Sequence, residues 1–302
     1  DAREYCDVLV CQMNSPSEAR LGRLLLRPAL SVLAELQNRD EGEPPLPSPQ
    51  QIYLVTGLED ATWFLNTGKA SAQIIRDVLH NNGLDIEDLD SILDFGCGVG
   101  RIMRHWHTLE KADLHGSDYN PDLVAWCKDN LPFAEFRVNG LEGKLEYENE
   151  TFDFIYAWSV FTHFTESLHF HWIEELSRVL RPGGHLLITT HGNTYLQHYW
   201  ESYRRHLLGT NQGDYLQHLI DTHGEEFVQQ HNPLSQEQRE HFRNGQLVVL
   251  GEDGAGSNQC HAFHTEQYVY RTLAKDLTVV DFTPGGAGDT SSHQDLYLLR
   301  KP

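Results

Sequence analysis

Ser91-Ile92-Leu93-Asp94-Phe95-Gly96-Cys97-Gly98-Val99-Gly100-Arg101 is the stretch whose reading decides the fold. Its first five residues form a short apolar run of buried-strand character. Three glycines on a G-x-G-x-G spacing break the run, and the spacing predicts a helix from Arg101 to Leu109. A strand, a tight glycine turn and a helix open a nucleotide-binding βαβ unit. Glycine there permits a sharp turn and lets a ligand approach the backbone with no Cβ in the way.

The spacing differs from the dinucleotide pattern G-x-G-x-x-G, whose helix N-terminus receives a pyrophosphate. An acid, Asp94, also precedes the first glycine by two residues. A carboxylate beside the turn repels a pyrophosphate and attracts an ammonium or sulfonium. A second acid, Asp118, ends the next predicted strand (112–118), where a carboxylate accepts hydrogen bonds from ribose hydroxyls. Together these residues describe an adenosine-type ligand with a cationic end and no phosphates.

Working outward, α/β alternation continues. Strands are expected at 91–96, 112–118, 134–139, 152–158 and 185–190, with helices at 100–109, 121–131 and 166–180. Pro121 stands near the first turn of its helix. Such repeats imply a parallel sheet with helices on both faces. The end of the chain reads differently: a helix at 265–274, then strands at 277–282 and 295–300 joined by a Gly-rich link, fitting an antiparallel edge hairpin.

Three ordered segments carry a family resemblance. Leu93 to Gly100 resembles the glycine loop of class I S-adenosylmethionine-dependent methyltransferases. Phe152-Asp153-Phe154-Ile155-Tyr156-Ala157-Trp158-Ser159-Val160-Phe161-Thr162-His163 is similar to that family's fourth-strand segment. Leu180-Arg181-Pro182-Gly183-Gly184-His185-Leu186-Leu187-Ile188 is similar to its turn into the fifth strand. The resemblance covers about residues 50 to 302. It implies a doubly wound, mostly parallel seven-stranded sheet with an antiparallel edge hairpin, and S-adenosylmethionine as cofactor. Asp94, Gly96, Cys97, Gly98 and Asp118 are then cofactor-binding, with Tyr119 and Asn120 beside the adenine, and Ser159 past the fourth strand. Asn139, Gly140 and Leu141 would contact the adenine ring, although Asn139 can equally cap a turn.

The long connection after the strand at 185–190 spans about residues 193–260. It contains Tyr195, Tyr199, Trp200 and Tyr203, and a capping-box pattern at Ser235 and Gln238. Helices at 195–208 and 235–244 and a strand at 246–250 are expected inside it. It leaves a parallel strand at the edge where ligands bind, so it reads as a lid over the acceptor or as a stabilising subdomain. His163 and His191 end the fourth- and fifth-strand segments, and each is a candidate general base or a structural histidine.

The remaining features set bounds. The 302 residues divide into an N-terminal helical extension and linker (1–50) and a catalytic domain (51–302). Leucines between 17 and 38 suit an amphipathic helix that packs in cis or joins a homodimer. Tyr53, Trp63 and Phe64 flank a break at Gly57 and fit either a core or a cover over the cofactor. A net charge of −21 argues against nucleic acid and anionic membrane surfaces as partners and leaves a small-molecule acceptor. Five irregularly spaced cysteines imply no disulfide framework, and with no membrane-length apolar run they suggest a cytoplasmic setting. The His pairs 105/107 and 169/171 lie i,i+2 on predicted helices, so no metal site is expected.

Two other readings keep the same loop. A nicotinamide oxidoreductase would use a similar sheet, but the glycine spacing and Asp94 oppose it. A non-catalytic cofactor-binding scaffold would turn over no acceptor.

Overall fold

The computed structural model describes residues 43–208, 234–286 and 293–302, with side chains omitted for 201–208. The helix expected within 17–38 and part of the 193–260 connection lie outside the described residues.

β1 (Ser91–Phe95) is buried along its whole length, and it pairs in parallel with β2 (Asp113–Asp118) on one side. On its other side it pairs in parallel with β4 (Phe152–Ala157). β3 (Glu135–Val138) extends the sheet beyond β2, and β5 (Leu180–Thr190) extends it beyond β4. β8 (Thr278–Thr283) and β9 (Asp295–Arg300) complete it in the order β3-β2-β1-β4-β5-β9-β8. β9 runs antiparallel to both β5 and β8, forming the expected edge hairpin.

Alternation along the strands creates two cores, because successive side chains leave opposite faces. Ile92, Phe154, Tyr156 and Leu187 meet Ile75, Leu79, Val124 and Cys127 on one face. Those partners come from α2 (Ala61–Asn81) and α3 (Pro121–Asn130). Leu93, Phe95, Ile155 and Ile188 meet Trp172, Leu176 and Val269 on the other. The latter belong to α4 (Glu166–Val179) and to a short helix, Glu266–Tyr268, that continues as a π turn, Val269–Leu273.

Some elements differ from the sequence reading. α1 (Pro49–Thr56) begins inside the expected linker, with a Ser48–Gln51 capping box at its start and Gly57 in the left-handed region at its end. α2 starts at Ala61, because the Asp60 carboxylate accepts from Trp63 N at 3.0 Å and caps it there.

The helix expected at 100–109 is replaced by turns and a 3₁₀ segment, Met103–Trp106. A Cβ on Gly68 of α2 would lie 2.3 Å from Arg101 O, so the two backbones nearly touch there. The tighter 3₁₀ turn places Met103 and Trp106 on the same side, and both are fully buried.

The connection after β5 forms α5 (Asn193–Leu208), α6 (Gln236–Arg243), and the antiparallel pair β6 (Val248–Leu250) and β7 (His261–Phe263). Ser235 caps α6 in a two-way capping box with Gln238. A bridge from His191 to Phe263 ties β7 to the end of β5. No helix among the described residues is long and apolar enough to cross a membrane.

Candidate active site

β1 leads toward β2 on one side and has β4 on the other, so the carboxyl ends of β1 and β4 flank a topological switch point. A cavity of about 370 Å³ opens there. Of the residues the sequence singles out, it gathers Asp94, Gly96, Cys97, Gly98, Asp118, Tyr119, Asn120, Asn139, Leu141, Ser159 and His163.

The glycine loop forms the floor. Gly98 has φ +54°, and a Cβ there would come within 2.7 Å of the Val55 side chain of α1. Gly96 has φ +77°, and its Cβ would strike Val160 at 2.4 Å. Loop, α1 and the β4 exit therefore close on each other, and only glycine leaves the floor open. Cys97 is buried, and its thiol lies 3.8 Å from Gly98 O.

Asp118 binds the loop to the end of β2. One carboxylate oxygen accepts from Gly98 N at 2.8 Å and the other from Asn120 N at 2.8 Å. Burial raises its pKa, and the backbone N–H groups of Asn120, Gly98 and Tyr119 oppose that rise. A carboxylate offers about four acceptor sites, so capacity remains for a hydroxyl. Asn120 also caps α3 through Asp122 N and Leu123 N.

Ser117 Oγ donates to Asn139 Oδ1 at 2.7 Å, and Asn139 Nδ2 donates to Gly140 O at 3.0 Å. Asn139 thus both orders the turn and borders the cavity. Gly140 is not among the lining residues; it packs against Gly143, where a Cβ would lie 3.3 Å from Gly143 Cα. Leu141 lines the wall, its carbonyl accepting from Trp172 Nε1 at 2.9 Å. Tyr119 is half-exposed at the rim.

Asp94 lies on the floor, 3% exposed. Burial pushes its pKa up to about 7; the Tyr156 hydroxyl and Arg101 pull it down, and Asp118 pushes it up. Arg101 also lines the cavity, and withdrawal from water lowers its pKa to about 10. Ser159 has φ +59°, which is strained for a residue with a Cβ. Its N–H donates to Thr189 Oγ1 at 2.7 Å, and its hydroxyl donates to Gln294 Oε1 at 3.0 Å.

His163 faces the cavity from the 3₁₀ turn after β4. Its Nδ1 lies 2.7 Å from Cys260 O. A carbonyl only accepts, so Nδ1 carries the proton and Nε2 keeps the lone pair. Burial lowers its pKa, holding it neutral.

His191, the second candidate base, lies outside the cavity lining. It is 1% exposed, its ring stacked on Tyr195 at 3.4 Å and centred 6.0 Å from His163. The bridge to β7 carries the strand end under the connection and buries the imidazole.

Among the described residues, the connection contributes a roof, but not through aromatic side chains. Tyr195 and Tyr199 pack with Leu234, Phe242, Val248 and Phe263 in a separate small core. The cavity instead receives Gly256, Ser257, Asn258 and Gln259. Gly256 N donates to His163 O at 2.8 Å, and Asn258 Nδ2 reaches Leu54 O at 3.5 Å. This segment therefore spans from the His163 turn to α1. Sequence reading did not assign these residues, nor Arg101, Trp158 and Phe164, which also line the wall.

The family model that matches residues 92–184 describes a methyltransferase domain. Residues 92–184 are thus similar to a methyltransferase domain. The chain's architecture is the class I one: a seven-stranded, mostly parallel sheet with helices on both faces. The chain is 37% identical over 101 residues to a phthiotriol/phenolphthiotriol dimycocerosates methyltransferase of Mycobacterium leprae, covering 32% of this chain and 35% of that protein. It is 34% identical over 98 residues to a sterol 24-C-methyltransferase of Schizosaccharomyces pombe, covering 31% and 25%. The chain thus spans about a third or less of these relatives' lengths. The PH0226 protein of Pyrococcus horikoshii shares the fold, with a TM-score of 0.51 at 17% identity over 78% of this chain and 91% of that one.

The residues present fit S-adenosylmethionine, the cofactor that the sequence resemblance implies. A buried acid with no pyrophosphate-type helix N-terminus beside it suits a cationic end. The tethered Asp118 keeps acceptor capacity for a ribose hydroxyl.

Proposed function

We propose that the chain methylates an oxygen or nitrogen of a small-molecule acceptor, using S-adenosylmethionine held by Asp94, Gly96, Gly98 and Asp118. The observation that carries this reading is one cavity lined both by the acid-bordered glycine loop and by a neutral histidine on the acceptor side. Bound S-adenosylmethionine supplies an electrophilic methyl group on a good leaving group. Asp118 binds the ribose hydroxyls, Asp94 faces the cationic end, and Tyr119, Asn139 and Leu141 border the adenine. His163 Nε2 takes the proton of an O–H or N–H acceptor as the new bond forms. The 256–259 segment and α1 exclude water and orient the acceptor, and alignment of this kind supplies much of the rate.

The sterol 24-C-methyltransferase relative favours a second reading, a carbon acceptor. A screen of hydroxyl, amine and alkene acceptors, read by S-adenosylhomocysteine release and product mass, tests both. Transfer to an O–H or N–H compound supports the first reading. Transfer confined to carbon supports the second. Cofactor binding without release of S-adenosylhomocysteine from any acceptor supports a scaffold.

A further inference from the structure

Asp94 and Tyr156 are direct neighbours across the parallel β1–β4 pair. Their side chains leave the same face of the sheet, which also carries Ile92 and Phe154. Trp106, from the 3₁₀ turn that replaces the expected helix, reaches the same point. Its Nε1–H donates to Tyr156 Oη at 3.0 Å, and the two rings meet edge to face with centroids 6.5 Å apart. Trp106 and Tyr156 are both fully buried.

An indole N–H can only donate, so it occupies a lone pair of the phenol oxygen. The phenol hydrogen is left for Asp94, its cross-strand neighbour, whose pKa the Tyr156 hydroxyl lowers. The chain of donors runs from Trp106 to Tyr156 to Asp94 and ends at the cavity floor. None of this is needed to fill the core, since phenylalanine would pack in place of Tyr156 without a buried hydroxyl to satisfy. Arg76 sits over the Trp106 ring at 5.1 Å and helps hold the indole in place.

We infer that Tyr156, supported by Trp106, is a positioning residue that holds the Asp94 carboxylate ionised and aimed at the cationic end of the cofactor. The inference rests on the cavity being an S-adenosylmethionine site. It assigns work to β4 that the glycine loop cannot do alone, because a lone carboxylate in this setting tends to take up a proton.

The groups facing Asp94 are Arg101 after the loop, Asp118 at the end of β2, Tyr156 on β4 and the Cys97 thiol beneath the loop. Burial raises Asp94 to about 7, so near neutrality the free protein is a mixture of protonated and ionised forms. The ionised form attracts a cation, so affinity rises as pH climbs through that value. Removing the Tyr156 hydroxyl removes a group that favours the ionised form, and the rise moves to higher pH.

Isothermal titration of S-adenosylmethionine into the full chain from pH 5.5 to 9 tests this, comparing wild type with Tyr156→Phe and Trp106→Phe. Taking the ratio of variant to wild-type affinity at each pH cancels titration of the ligand itself. Tyr156→Phe should bind roughly tenfold more weakly at pH 5.5, about fivefold more weakly at pH 7, and recover most of that loss by pH 9, for a midpoint shift of about one unit. Trp106→Phe should shift the midpoint in the same direction by less. A uniform loss at every pH would mean Tyr156 is structural only and would overturn the inference, as would a ratio near one throughout. Should either variant fail to fold, the other carries the same pH test. Failure of the wild type to bind S-adenosylmethionine at any pH would instead sink the cofactor assignment itself.

Discussion

The two halves of the cavity are built on opposite electrostatic principles. The half at the glycine loop buries carboxylates: Asp94 and Asp118 both have raised pKa values, because burial disfavours their charge. The half beneath the roof sets His163 on its wall and packs His191 and His261 behind it; all three imidazoles have lowered pKa values for the same reason. Behind them His169 and His264 share a hydrogen bond of 2.7 Å between their Nε2 atoms and are likewise held neutral. One half is ready to receive a positive charge, and the other is ready to receive a proton. Methyl transfer from a cationic donor to a protic acceptor needs both, side by side and shielded from water.

The sharpest way to break this division is to close one half sterically. Gly98→Val places a branched side chain at φ +54°, where even a Cβ meets Val55 at 2.7 Å. S-adenosylmethionine affinity should fall by more than a hundredfold in calorimetry while the circular dichroism spectrum stays largely native. Normal binding would mean that the loop is not the cofactor floor.

His163→Ala tests the other half. Turnover should drop by about a hundredfold or more, the usual scale for a lost general base, with cofactor affinity nearly unchanged. The rising limb of the pH–rate profile should vanish with it. Near-normal turnover would leave alignment alone as the source of catalysis, because His191 does not line the cavity.

Asp118→Ala sharpens the comparison from the loop side. It removes the acceptor of Gly98 N and Asn120 N along with the proposed ribose contacts. Binding should weaken by about 1.5–3 kcal/mol, the range for hydrogen bonds to a charged group. Unchanged affinity in a folded variant would place the ribose elsewhere.

The smallest effect is on stability and has opposite signs in the two halves. Burial depresses His169 from 6.5 to about 4, and the folded state then binds fewer protons than the unfolded one. Its contribution is present above pH 6.5 and lost as pH falls toward 4. Asp94, raised from 3.8 to about 7, contributes stability that is lost as pH rises through that window. A His169→Phe, His264→Phe double variant should therefore lose less melting temperature than wild type between pH 6.5 and 4.5, by several degrees. An equal loss in both would show that the roof histidines do not carry the acid sensitivity.

Much of the loop half was legible in the sequence. A five-residue apolar run followed by glycines can hardly be anything but a buried strand entering a turn. The spacing from Gly98 to Asp118 places the acid at the end of the neighbouring strand, and its carboxylate indeed accepts from Gly98 N. The roof half was not legible. Aromatic side chains in the 193–260 connection suggested a pocket, yet Tyr195 and Tyr199 serve a core of their own. The polar Gly256 to Gln259 segment carries no pattern that marks it as a wall. Trp106 looked like one residue of a helix, and the close approach of Gly68 to Arg101 O made the segment a 3₁₀ turn instead.

The sequence by itself determined the order of strands and helices, the glycine floor and the two acids beside it. Those features depend on local periodicity, backbone freedom and short separations along the chain, all of which are written in consecutive residues. Only the tertiary structure decided which histidine meets the cavity, what roofs it, and that Trp106 and Tyr156 stand behind Asp94. Each of those depends on contacts between distant segments: Cys260 with His163, Phe263 with His191, and Trp106 with Tyr156, 50 residues apart. Side-chain direction at a strand end is set by what packs over it, and packing is settled only when the whole sheet is assembled.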